Sequence, residues 1–296
     1  MSVVQATDVL VSVSKPAVRA NSSRRGVGRW FVLAVLVIAL LATLLPVALA
    51  VINAFKSTAD YAANGPLAMP QSFSLDGIVA FWQSVHFETK LFNSILISTV
   101  VAALGVMLSV FSAYAIGIGR VRGSRILLIL FIVGLTLPQE MLVYPIYYLS
   151  KSVGLYDTKL LIIIVLAVLQ SAFGTYFVAS VLTAFPKEIL EAARIDGAGS
   201  VRILFSVVLP VLRPTLMVLA TFFFIWTWNE FFLPLVLLVS DANQTVTLAL
   251  GTLQGEMTSD PTTTAGASLL GTLPTLVFFL IFQRTLTKGI TVGAVK

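Results

Sequence analysis

Cysteine is absent from this 296-residue chain, and histidine occurs once, as His86. No disulfide framework, thiolate chemistry or cysteine-bearing zinc site is open to it, and a single His builds no metal-binding cluster. Charge is scarce as well. Only 11% of the residues are Asp, Glu, Lys or Arg, against about 25% in ordinary soluble domains. That is too little polar surface to cover a soluble core of this size. No Gly-x-x-x-x-Gly-Lys-[Ser/Thr] phosphate loop occurs, and no Gly-x-Ser-x-Gly elbow or His-Glu-x-x-His. The segment "GIGRVRG" is a short basic loop, a weak nucleotide signal. Catalysis and ATP binding by these routes are therefore excluded.

What the chain has is apolar length. Hydrophobic residues make up 58% of it and the mean hydropathy is +0.98, so its natural solvent is lipid. A bilayer span takes about 20 apolar residues, and six runs qualify: Trp30–Ile52, Leu91–Gly117, Ile126–Leu149, Leu160–Leu182, Thr215–Val239 and Ala265–Phe282. The expected fold class is thus an all-α polytopic membrane protein with six transmembrane helices. Pro138 and Pro145 are expected to interrupt the third span, and Pro234 the fifth. Such breaks are tolerated where neighbours or a cavity satisfy the freed backbone. The polar segment 1–29 reads as a disordered cytoplasmic extension. The run after it exceeds a signal-peptide core and ends in no small-x-small cleavage site, so it reads as an uncleaved first span.

The net charge of +6 is a topology signal and not a nucleic-acid patch, because the basic residues lie in the gaps between apolar runs. Fifteen of the 19 Lys and Arg fall on one side, including Arg24, Arg25, Arg29, Arg120, Arg122, Arg125, Arg213, Arg284 and Lys288. Only Lys56, Lys90, Lys151 and Lys159 fall on the other. By the positive-inside rule both termini are cytoplasmic. On the outer side, "SLDGIVAFWQSV" reads as an amphipathic stretch at the interface, with Phe81 and Trp82 inward, and His86 at its edge reads as an interfacial polar residue.

One cytoplasmic loop, between spans four and five, is long and charged: "FPKEILEAARIDGAGSVRILFSVVLPVLRP". Pro186 suits a first helical position. Glu188 and Glu191 favour the helix dipole, and Gly197 suits a left-handed stop. Ile189, Leu190, Ala193 and Ile195 offer an apolar stripe. So short a helix is marginal alone in water and must dock, on the membrane surface or on a soluble partner. A second helical stretch, Val201–Val208, is expected to run to Pro210, with Pro214 opening span five.

The segment "EAARIDGAGSVRILFSVVLP" resembles the EAA motif of importer-type ABC permeases, through Glu191, Ala192, Ala193, Gly197, Leu209 and Pro210. Val207 stands where that motif usually has Ile. The Asp196-Gly197-Ala198 continuation is similar to the form in carbohydrate permeases. "TLPQEMLVYPIYYLSKSVGLYDTKLLIII", "WNEFFLPLVL" and "QRTLTKGITVGAVK" resemble segments of the maltose-type, shorter six-span subunits. The resemblance covers most of the chain from span two onward. It implies an importer transmembrane domain over residues 30–296 with its core at 91–286. It implies that the charged loop is a coupling helix entering a cleft on a cytoplasmic ATPase subunit, with Glu191, Ala192, Ala193, Asp196, Gly197, Leu209 and Pro210 as its coupling residues. Glu191 would pair with a basic group, the two Ala permit close approach, and Gly197 makes the turn.

The implied assembly is a heterodimer with a second homologous permease, two ATPase subunits and an extracytoplasmic binding protein, in a bacterial or archaeal inner membrane. ATP and Mg would sit on the ATPase, with no cofactor or metal on this chain. The implied cargo is a sugar. Another small polar solute such as a glycerol phosphate is an alternative, as is an ion-coupled secondary transporter, although no half-to-half repeat of that class is evident. Charged groups inside a membrane face cavities or partners, which singles out Glu140 in span three and Glu230 in span five. With Trp228 and Asn229, these are candidates for the translocation pathway. Equally, Glu230 and Asn229 are candidates for satisfying backbone opened by Pro234, and Glu140 for an interfacial position. The aromatic run "FFFIWTWNEFF" reads mainly as packing and lipid contact, since so many rings cannot share one helix face. The C-terminal tail after Arg284 reads as a basic cytoplasmic exit, and the resemblance adds a contact with the ATPase pair.

Overall fold

Every regular element is helical in the computed structural model, which describes residues 26–119, 121–256 and 260–294. Among the described residues five helices are long and apolar enough to cross a membrane, and a sixth crossing is made if one bent pair counts as a single span. The first helix, α1 (Gly26–Ala54), already includes the last four residues of the extension expected to be disordered. Residues 1–25 of that extension lie outside the described residues. The chain divides at Ala48 into two units, and most of α1 falls in the first.

The second unit, residues 49–296, is built on α4 (Phe87–Gly117) packed along α7 (Lys159–Thr183), with α10 (Leu209–Asn229) across both. Small residues make this possible. Ser94, Ser98, Ala102, Gly105, Ser109 and Ala113 are buried along α4, and Ala167, Ser171, Gly174 and Ala179 along α7. In lipid, helices associate through such close backbone approach and not through a hydrophobic drive. The fully buried Phe223 of α10 fills the slot so formed. A Cβ on Gly105 would lie 2.9 Å from its ring, and one on Gly174 would also lie 2.9 Å from it. Thr158 caps α7, its hydroxyl accepting from the Leu161 N–H at 3.2 Å.

The third span is two helices, α5 (Ser124–Thr136) and α6 (Gln139–Ser152), bent by 96°. The bend falls at Leu137–Pro138 alone, because a residue before proline is pushed out of helical backbone. Pro145 sits inside α6 without ending it, contrary to expectation. The fifth span departs further. It does not start at Pro214, which lies inside α10. Instead the helix runs on from α9 (Ser200–Ile203) through a π-helical turn, Leu204–Val208, into α10. It breaks at Glu230, four residues ahead of Pro234. Pro234 occupies the first turn of α11 (Phe232–Leu237), where its missing N–H is not needed.

The outer connections are pinned by polar side chains. Lys90, fully buried at the start of α4, donates to the carbonyl of Asp241 and pairs with its carboxylate, both at 2.6 Å. Asn93 donates to the carbonyls of Ala242 and Gln244, and Ser94 accepts from the N–H of Val246, the first residue of α12 (Val246–Glu256). Between α1 and α4 lie α2 (Thr58–Asn64) and α3 (Asp76–Ser84). The amphipathic stretch of the sequence is α3, but it packs on the last helix, α13 (Pro261–Ala294), where Gly77 and Gly266 let the two backbones meet. Phe81 is fully buried, whereas Trp82 is exposed. Neighbours 100° apart on a helix do not share one buried face. The C-terminal tail continues α13 as helix to Ala294, and residues 295–296 lie outside the described ones.

Candidate functional site

The charged loop folds as a short helix, α8 (Lys187–Ile195). Pro186 directly precedes it instead of taking its first position. Leu190 is buried and Ala193 half-buried against the core cluster that contains Phe185, Ile203 and Leu204. Ile189 and Ile195, expected on the same stripe, are exposed, Ile195 by 86%. Only one edge of α8 is therefore anchored. Glu191, Ala192 and Asp196 are exposed, and Glu191 makes no ion pair among the described residues. Gly197 ends the helix at φ +77°, donating to the carbonyl of Arg194 at 3.0 Å while Ala198 donates to that of Ala193 at 3.0 Å. A Cβ at Gly197 would meet nothing within 4 Å, so the backbone angle, not space, calls for glycine here. The Tyr114 hydroxyl donates to the Ser200 carbonyl at 2.8 Å, tying α4 to the restart of the chain. Leu209 and Pro210 are not on the α8 tip. They line a shallow groove on α10 with Phe205, Arg213 and Met217.

A second feature is a cavity of about 490 Å³ where α5, α7 and α10 meet, just short of the two helix breaks. Its polar lining is Gln139, Gln170, Asn229 and Glu230, and its rings are Phe173 and Trp226. Of the four pathway candidates, Asn229 and Glu230 are here. Trp228 is not: it is buried with Phe81 and Phe87 and stacks on Phe224 at 5.9 Å. Glu140 is exposed and lines no part of the cavity. Sequence reasoning missed Gln139, Gln170 and Trp226, although an amide inside an apolar run was a usable signal in both Gln cases. Gln170 donates to the Thr227 hydroxyl at 2.9 Å, and its carbonyl oxygen is buried without a partner. Glu230 does satisfy open backbone. One carboxylate oxygen accepts from the N–H groups of Phe232 and Leu233, at 3.1 Å each, which caps α11. No group of three or more metal-ligating side chains occurs among the described residues.

Residues 105–288 match the family described as the binding-protein-dependent transport system inner membrane component. An ABC transporter permease protein of Streptomyces antibioticus is 37% identical over 205 residues, 69% of this chain and 89% of that protein. An arabinooligosaccharides transport system permease of Halalkalibacterium halodurans is 28% identical over 83% of this chain and 88% of its own length. A lactose transport system permease of Rhizobium radiobacter is 30% identical over 75% and 80%. In structure, a chain of a bacterial ABC transporter that imports the acidic polysaccharide alginate superposes with a TM-score of 0.77. That match has 21% identity and covers 88% of this chain and 98% of that one, a likeness of fold.

Proposed function

This chain belongs to the family of binding-protein-dependent transport system inner membrane components, and from that premise we propose that it is the permease half of an ATP-driven sugar importer. It is a multi-pass membrane protein and a transport component, not an enzyme. Arabinooligosaccharide and lactose permeases among its relatives support a mono- or oligosaccharide as cargo. The cavity suits one: amides offer donors and acceptors to hydroxyls, and Phe173 and Trp226 offer faces to C–H groups. A second, homologous permease would supply the other half of the pathway. Two cytoplasmic ATPases would hold ATP and Mg, and both termini would face the cytoplasm.

The observation that carries this reading is α8. It is a short helix with one edge anchored in the core and Glu191, Ala192 and Asp196 turned outward, which fits insertion into a cleft on an ATPase. Closure of two ATPases would then move two such helices together and switch the spans between inward and outward access. Because α9, the π turn and α10 are continuous, displacement at α8 has a stiff route to the cavity wall at Trp226 and Asn229. In the assembled transporter, Glu191→Lys and Gly197→Val are expected to abolish binding-protein-stimulated ATP hydrolysis while leaving the membrane level of the chain intact. Unchanged stimulation in both variants rules the coupling assignment out.

A further inference from the structure

Two spans break at one level of the molecule, and a single hydrogen bond joins the breaks. The third span turns at Leu137–Pro138 and the fifth at Glu230. Gln139, the first residue of α6, donates its amide to the Glu230 carboxylate at 3.1 Å. The other oxygen of that carboxylate caps α11 through Phe232 and Leu233, and the Glu230 carbonyl accepts from the Thr247 hydroxyl of α12 at 2.9 Å. Four helices thus converge on one residue. To one side lies the cavity. To the other, α6 and α11 pack together, with Leu233 and Leu237 fully buried and Val143, Ile146 and Tyr147 against them.

We infer that Gln139 and Glu230 form a latch that holds α6 and α11 closed over the outer end of the cavity, with Glu230 a positioning residue and not a ligand for the solute. The inference rests on the pathway and orientation proposed above. Three of the roughly four acceptor positions of this carboxylate are already taken, and turning it towards a sugar would uncap α11. A cap alone would need only the α11 N–H groups; the bond to Gln139 adds nothing to α11 and ties α6 to it beyond their apolar contact. A hydrogen bond to an ionised acceptor is about twice as strong as a neutral one, and away from bulk water it is stronger again. Opening to the outer side would break this bond at Gln139 and leave the α11 cap in place, so α6 is the element that swings, with its pivot at Pro138.

The lack of cysteine makes the test direct. Leu169→Cys puts the chain's one thiol on the cavity wall, and a membrane-impermeant maleimide reports access to it from either face of vesicles carrying the assembled transporter. From the outer face, labelling is expected to be slow in this background and faster by on the order of tenfold with Gln139→Glu, which sets two carboxylates against each other. Gln139→Leu, which removes the donor without adding charge, moves it in the same direction. Combining Gln139→Glu with Glu230→Gln restores a donor–acceptor pair with the roles exchanged, and labelling returns to the slow rate. Rates unmoved by the single variants, or not restored by the exchanged pair, overturn the latch while leaving the pathway standing. A thiol at position 169 that reacts from neither face in any variant overturns the pathway and the latch together.

Discussion

At the scale of single residues, the tightest constraint is the slot between Gly105, Gly174 and Phe223. A methyl group on Gly174 would collide with the Ser109 side chain and come within 2.9 Å of Phe223, and one on Gly105 would press on the same ring. Such overpacking costs about 1–3 kcal/mol. Gly174→Ala and Gly105→Ala are each expected to lower the unfolding midpoint of the purified transporter, and Phe223→Leu is expected to recover part of either loss. Gly199→Ala is the control, since a Cβ there meets nothing within 4 Å. None of this is legible in the sequence, where these are two of 19 glycines with no turn or motif to mark them; only the neighbouring helices create the demand. The two tryptophans of the fifth span show the same limit. Trp226 and Trp228 are two residues apart and so about 200° apart around a helix. One therefore faces the cavity and the other the core, but periodicity alone does not say which.

At the scale of elements, apolar length located the spans because a bilayer sets that length physically. The positions of the breaks were less legible, because proline is a permissive marker. Pro138 turns its span, while Pro145 and Pro214 sit inside helices and Pro234 merely follows a break that Glu230 caps. The sequence places the end of one helical stretch at Pro210 and the start of the next span at Pro214, whereas the helix runs on through a π turn, Leu204–Val208. A π turn carries one residue more than the α-helix it replaces, and such turns cluster at functional sites. Here it lies between α9 and α10, on the route from α8 to the cavity wall. Deleting Val201, an exposed residue of α9, would rotate the chain before it against the π turn and α10 by about 100°. The deletion is expected to leave the chain in the membrane but to cut binding-protein-stimulated ATP hydrolysis at least tenfold. Retained stimulation would show that the register between α8 and α10 carries no signal.

Across the second unit, polar anchoring gathers on the side that carries few of the Lys and Arg residues, and this predicts a response to acid. Burial works against ionisation of Asp157, but the hydroxyl and N–H of Ser240 and the N–H of Val239 outweigh it and hold the carboxyl below its usual value. Asp260 is held down in the same way, against burial, by the hydroxyl and N–H groups of Thr263 and Thr262. Asp60 is lowered first by the Asn64 amide and then by the Gln71 N–H. In each case the folded state binds a proton less readily than the unfolded chain. Their contribution is therefore complete above the unfolded carboxylate value of about 4 and is lost as pH falls through the lower folded value. Groups this exposed contribute no more than about 1 kcal/mol each at Asp157 and Asp260. Asp157→Asn isolates one of them. Asp157 has φ +59°, a left-handed angle that Asn also tolerates, so the substitution removes charge without straining the turn. The variant is expected to unfold at a lower temperature than wild type at pH 7, with the gap constant down to about pH 5 and closing below about pH 4, as protons go first to the unfolded chain and then, at lower pH, to the folded carboxylate. A gap that persists unchanged at pH 3 would assign the loss to packing at the α6–α7 connection and remove the charge from the account.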